Sequence, residues 1–157
     1  MQRNRSATSA AATCRNGYHA RMIDEDLRRA IMAGVRAALP DVRWLAVFGS
    51  TARGDATRDS DVDVAVLAGE PVAAERLRGL RGDLEIALRR DVHLIDLRGA
   101  STVLRSQVLA DAEVLFASGD ADSEQFLDFV LSDYARLNEE RRDILRDVRE
   151  RGSVLGG

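Results

Sequence analysis

Asp61 and Asp63 stand two residues apart in Ser60-Asp61-Val62-Asp63-Val64-Ala65-Val66-Leu67, a run whose alternation reads as a β-strand. Residues two apart on a strand share a face, roughly 7 Å along at about 3.3 Å per residue, so both carboxylates converge on one spot. Like charges held together in this way repel one another unless a cation sits between them. Mg²⁺ is the physical solution, because it takes carboxylate oxygens and keeps positions open for water and phosphate. Ten residues upstream, the apolar run Trp44-Leu45-Ala46-Val47-Phe48 breaks at Gly49-Ser50. A strand that ends in Gly-Ser and turns into a helix start exposes backbone N–H groups and a hydroxyl where phosphate can sit, and glycine lets the backbone approach closely. A phosphate cradle beside a metal-binding acid pair is the combination that nucleotide chemistry needs. The metal neutralises charge on the transferring phosphoryl group and activates the attacking oxygen.

Each part alone carries little, since an Asp-x-Asp is usually a solvated turn and a Gly-Ser after a strand is usually just a turn. The conjunction, with a strand on either side, is the specific signal. Arg53 is the nearest guanidinium to the cradle and a candidate triphosphate contact, whereas Arg58 reads as solvated. Trp44 lies within the apolar strand run and is expected in the core rather than as a base-stacking platform.

These residues need a frame. Leu27, Ile31, Gly34, Val35 and Ala38 recur at helical steps from Asp24 until Pro40 stops the run. The strands Trp44–Phe48 and Val62–Leu67 follow, the first apolar enough to be covered on both faces. Pro71 suits a helix start, with Leu77, Leu80, Leu84 and Leu88 on its stripe. A third strand runs from Val92 to Leu97, Ser101 caps a helix carrying Leu104, Val108 and Leu109, and Val114–Phe116 makes a short fourth strand. Beyond Gly119 the pattern is helical to about Arg151, with Phe126, Val130, Tyr134, Leu137, Ile144 and Val148 on one stripe. Packing is the expected role of that stripe, Tyr134 included, with a partner-binding arm as the other reading. The expected fold is α/β (α+β): a short mixed β-sheet flanked by helices, with a long C-terminal helix.

Composition sets the outer bounds. The chain has 157 residues, 45% of them apolar, enough for one core and little more. With 23 basic against 26 acidic side chains the formal charge is −3, which excludes a bulk cationic surface for DNA. All the basic residues are arginine, so phosphate contacts must come from guanidinium or backbone N–H groups. Cys14 has no partner for a disulfide, and no apolar run approaches the roughly 18 residues of a membrane span, so a cytoplasmic protein is expected. Residues 1–21 are rich in Ser, Ala, Thr and Arg and are expected to form a disordered leader, in which His19 has no assignable role. The core domain is placed at 22–118 and the helical arm at 119–157.

The segments Gly49-Ser50-Thr51-Ala52-Arg53-Gly54-Asp55 and Ser60-Asp61-Val62-Asp63-Val64-Ala65-Val66-Leu67 resemble the DNA polymerase beta-like nucleotidyltransferase superfamily, and within it the minimal nucleotidyltransferase (MNT) antitoxins. Leu94-Ile95-Asp96-Leu97-Arg98 with Ala100-Ser101, and the tail from Tyr134 to Leu145, are similar to the same group. The resemblance covers about residues 24–152. It implies the nucleotidyltransferase fold, with Asp61 and Asp63 as the metal-binding pair and Gly49 and Ser50 as the pair that holds the triphosphate. It also implies an activity: transfer of AMP from ATP, with Mg²⁺, onto a tyrosine of a cognate HEPN-type ribonuclease toxin.

One position departs from the family pattern. The third strand usually carries a further carboxylate, read as the base or as a metal ligand, and here Val92-His93-Leu94-Ile95-Asp96-Leu97 places His93 there. Three readings follow. A neutral imidazole can act as base or ligand, although Mg²⁺ prefers oxygen. Asp91, which shares parity with His93, can reach in instead. Otherwise the protein is catalytically impaired and neutralises the toxin by binding alone. Asp96 has the opposite parity and is expected to be structural. Nucleotidylation of a small molecule such as an aminoglycoside ranks behind these readings, because such enzymes usually carry an extra substrate domain.

Overall fold

A computed structural model describes residues 23–151. The expected leader, with Cys14 and His19, lies outside the described residues, as do residues 152–157. Among the described residues nine elements run in order: α1 (Glu25–Ala38), β1 (Val42–Phe48), α2 (Gly49–Arg53), β2 (Val62–Ala68), α3 (Ala74–Leu88), β3 (Val92–Asp96), α4 (Thr102–Asp111), β4 (Glu113–Ala117) and α5 (Ala121–Arg151). Asp24 caps α1 by accepting from the Asp26 N–H at 3.2 Å, a bond whose loss typically costs about 1 kcal/mol.

The four strands form one mixed sheet in the order β3-β2-β1-β4. β1 is antiparallel to both β2 and β4, while β2 and β3 are parallel and joined through α3. The continuous apolar run of β1 has a physical cause, because this central strand is covered on both faces. Leu45 and Val47 meet Ile31, Val35, Leu80 and Leu84 on one side. Trp44 and Ala46 meet Leu97 and Val108 on the other, with Phe126 and Leu127 packed against them. Trp44 is thus a core residue, as its place in the sequence implied.

β2 shows how the sheet positions the site. Val62, Val64 and Val66 face the first core, whereas Ala65 and Leu67 face the second, beneath α4 and α5. Asp61 and Asp63 lie on that second face but beyond the covering helices, so the same strand face is apolar where it is covered and acidic where it is open.

Two expectations need correction. α3 begins at Ala74, not Pro71, because the Val72 N–H is tied to Asp96 Oδ2 at 3.0 Å and holds that segment out of the helix. Among the side chains described, which do not include that of Val148, the stripe on α5 packs only along its first part. Ser123 and Val130 are buried, and Thr102 donates to Asp133 Oδ2 at 2.8 Å. Beyond that point Tyr134, Ile144 and Leu145 are exposed, 38%, 62% and 58% respectively, because α5 outruns the domain beneath it. Among the described residues no helix is long and apolar enough to cross a membrane.

Candidate functional site

Phe48, the last residue of β1, pairs with Asp63 on β2, and Asp63 pairs with His93 on β3, so the three form a row across the end of the sheet. The chain then turns sharply into α2. Gly49 has φ +65°, and a Cβ placed on it would stand 2.3 Å from Asp63 Oδ2. Only glycine permits both the left-handed backbone and the approach of that carboxylate. Asp63 is therefore aimed at the Gly49-Ser50 turn. α2 lasts five residues and closes at Gly54, whose φ is 76°, with the Asp55 N–H returning to Ser50 O at 3.0 Å.

His93 joins the two acids. Its Nδ1 is 3.1 Å from Asp63 Oδ1 and its Nε2 is 3.7 Å from Asp61 Oδ2. Asp63 is the more sheltered acid, 23% exposed against 45% for Asp61, and His93 faces solvent at 64%. The His93 ring is thus an ion-pair partner of both carboxylates. No three His, Cys, Asp or Glu side chains among the described residues form a ready-made metal cage. Two carboxylates against a glycine turn do fit Mg²⁺, whose remaining positions are filled by water and substrate phosphate oxygens rather than by protein.

The other residues singled out in the sequence have definite places. The Arg53 guanidinium donates to Asp111 Oδ2 at 3.1 Å and lies 3.6 Å from Asp55, which ties α2 to the end of α4. Arg58 is exposed. Asp91 is exposed too, and it contributes a backbone carbonyl that accepts from the Val62 N–H at 2.9 Å. Its carboxylate makes no bond to the cluster. Asp96 is buried and accepts from the backbone N–H groups of Val72 and Arg98, which is the structural role its parity implied.

Arg90 was not singled out. It leaves the end of α3, where Arg89 adopts φ 52°, and its Nε donates to Ser60 O at 2.9 Å while Nη2 reaches Thr57 O at 3.3 Å. That clamp falls on the peptide just before Asp61. No local pattern signals a bond across thirty residues.

At the opposite end of the sheet lies a second acid group. Arg43 Nη1 bonds Asp120 at 3.0 Å and Asp122 at 2.7 Å, and Arg98 Nη2 bonds Asp122 at 3.1 Å. The Ser118 hydroxyl and the Ser123 N–H, with Arg43 adding to them, hold the Asp120 carboxyl well below the usual carboxylate range. Asp120 also caps α5, accepting from the Ser123 N–H at 3.0 Å.

A mixed sheet that ends in a glycine turn against an Asp-x-Asp pair is a nucleotidyltransferase-type fold. The family described as polymerase beta, nucleotidyltransferase, matches residues 35–121, and the chain belongs to it. The chain is similar to a protein adenylyltransferase, MntA, of Shewanella oneidensis: 38% identical over 114 residues, 73% of this chain and 81% of that protein. Among solved structures it resembles a toxin–antitoxin crystal structure with AMP-PNP (36% identity, TM-score 0.68, 78% of this chain and 98% of that one). It also resembles a chain in a rebuilt structure of the tri-AMPylated S. oneidensis HEPN toxin in complex with MNT antitoxin. There the identity is 33% and the TM-score 0.65, over 80% of this chain and 98% of that one.

Proposed function

We propose that this chain is an antitoxin that moves AMP from ATP onto a tyrosine of a HEPN-type ribonuclease toxin, silencing it. The observation that carries this reading is the Asp63 carboxylate lodged against Gly49, with Asp61 and His93 beside it. Family membership and the similarity to an adenylyltransferase and to toxin–antitoxin complexes support it.

In this reading the backbone N–H groups and hydroxyl of Gly49-Ser50 hold the triphosphate, and Arg53 stands nearby as an additional cation. Asp61 and Asp63 hold Mg²⁺, which when bound neutralises charge on the transferring phosphoryl group. The tyrosine oxygen bonds to the α-phosphorus as the bond from that phosphorus to the pyrophosphate oxygen breaks, and pyrophosphate leaves. His93 takes the phenolic proton at Nε2, while Asp63 accepts from Nδ1 and fixes the ring. A positioned base of this kind contributes about 10²- to 10⁴-fold.

The imidazole at the third-strand position also favours a second reading, neutralisation by contact alone, for which the exposed apolar residues of α5 offer a surface. One assay separates the two. Incubate the chain with ATP labelled at the α-phosphate, Mg²⁺ and the co-expressed toxin, beside the Asp61→Asn/Asp63→Asn variant. Transfer predicts label on the toxin that vanishes with the variant. Unlabelled toxin, neutralised equally by both proteins, establishes binding alone.

A further inference from the structure

The two acids of the pair are held by different devices. Asp63 lies inside β2, with ladder partners on both sides in Phe48 and His93, so the sheet fixes its backbone. Asp61 precedes the first residue of β2 and ends the long connection from α2. The Val62 N–H bond to Asp91 O at 2.9 Å holds the peptide after it, and its aim also depends on what holds the Ser60–Asp61 peptide before it. Arg90 does so directly, since its Nε donates to Ser60 O at 2.9 Å and its Nη2 to Thr57 O at 3.3 Å. The turn it grips is closed from within: the Ser60 N–H returns to Thr57 O at 3.2 Å, and the Thr57 N–H donates to Ser60 Oγ at 2.9 Å.

A planar guanidinium forks across two carbonyls in a way that a point charge cannot, and a peptide fixed at its carbonyl aims the side chain that follows. We infer that Arg90 is a positioning residue that orients the Asp61 carboxylate for the divalent cation. This rests on the reading of Asp61 and Asp63 as the metal-holding pair. Groups that orient metal ligands without touching the metal typically change metal affinity by about 10- to 100-fold when removed.

The sign of the effect distinguishes positioning from charge. Arg90 is a cation near a cation site, so if it acted only through charge its removal would tighten metal binding. Positioning predicts the reverse. The experiment uses the full chain with ATP and Mn²⁺, free Mn²⁺ being read by electron paramagnetic resonance, together with the Mg²⁺ dependence of label transfer. Arg90→Met, which keeps the apolar stem and loses the donors, is expected to weaken Mn²⁺ binding about 10-fold. It should raise the Mg²⁺ needed for half-maximal transfer by a similar factor, with the rate at saturating Mg²⁺ within about twofold of the parent. Arg90→Lys, which keeps a single donor head, is expected to weaken binding about threefold, and it carries the test if Arg90→Met fails to fold. Unchanged or tighter Mn²⁺ binding in the folded variant overturns the inference, even if its melting temperature falls. If the parent binds no Mn²⁺ with ATP, or binds it equally after Asp61→Asn/Asp63→Asn, the reading of the acid pair falls and this inference with it. Loss in the Asp variant with none in the Arg90 variants refutes the inference alone.

Discussion

Two groups of acids occupy opposite ends of one sheet, and they are treated in opposite ways. At the far end Asp120 and Asp122 are met by Arg43 and Arg98 and by serine hydroxyls, and the result is an anchor for the start of α5. At the near end Asp63 is lodged against a glycine turn, Asp61 is half-exposed, and both face one histidine. Charges satisfied inside the protein make structure, whereas charges left for something outside make a site. The difference does not come from a lack of cations nearby. Arg90 reaches the peptide next to Asp61 and bonds its carbonyl, and Arg53, on the adjoining helix, is turned to Asp111.

The largest expected effect breaks the near end alone. Asp63→Asn should lower label transfer by about 10³-fold, the equivalent of several kcal/mol of charge stabilisation, while the melting temperature stays within about 2 °C of the parent. Gly49→Ala should damage both function and stability. Its methyl group meets Asp63 Oδ2 and its φ of +65° disfavours any side chain. A loss of about 1–2 kcal/mol in denaturant unfolding and a fall in transfer of at least about tenfold are expected.

The far end should give the complementary result. Arg43→Met removes the bonds to Asp120 and Asp122 and should lower the melting temperature by about 3 °C, with transfer within about twofold of the parent. The smallest effect is one of pH. The folded-state pKa of Asp120 lies below its ordinary value of 3.8, so the unfolded chain binds the proton more readily. Its contribution to stability is therefore complete above about pH 5 and is lost as the pH falls below the ordinary value toward the folded one. Asp133, lowered by its bonds from Arg136 and then Thr102, acts in the same direction. Urea unfolding at pH 6 and at pH 3 should show a smaller drop for Asp120→Asn than for the parent, and an equal drop would remove Asp120 from the account.

The parts of this molecule that were legible in the sequence are those that local rules write. The parity of Asp61 and Asp63, the doubly covered run of β1 and the break at Gly49-Ser50 all follow from period-two geometry and glycine's freedom. His93 came into view only through the family resemblance, because it stands where that family carries a third carboxylate. The bonds that long-range packing decides were not legible. Arg90 reaches Ser60 from thirty residues away, and Asp111 takes Arg53 from fifty-eight. The stripe on α5 has a helical period throughout, but periodicity does not say where the surface beneath it ends, so the exposure of Tyr134 and Ile144 could be seen only in three dimensions.

The contrast between the two acid groups can be tested at a single step. A crystal of the chain grown with Mn²⁺ and AMP-PNP should show the anomalous Mn²⁺ peak between Asp61 and Asp63, with the phosphates against the Gly49-Ser50 backbone. A peak at Asp120 and Asp122, or nucleotide bound away from the Gly49 turn, would contradict the account.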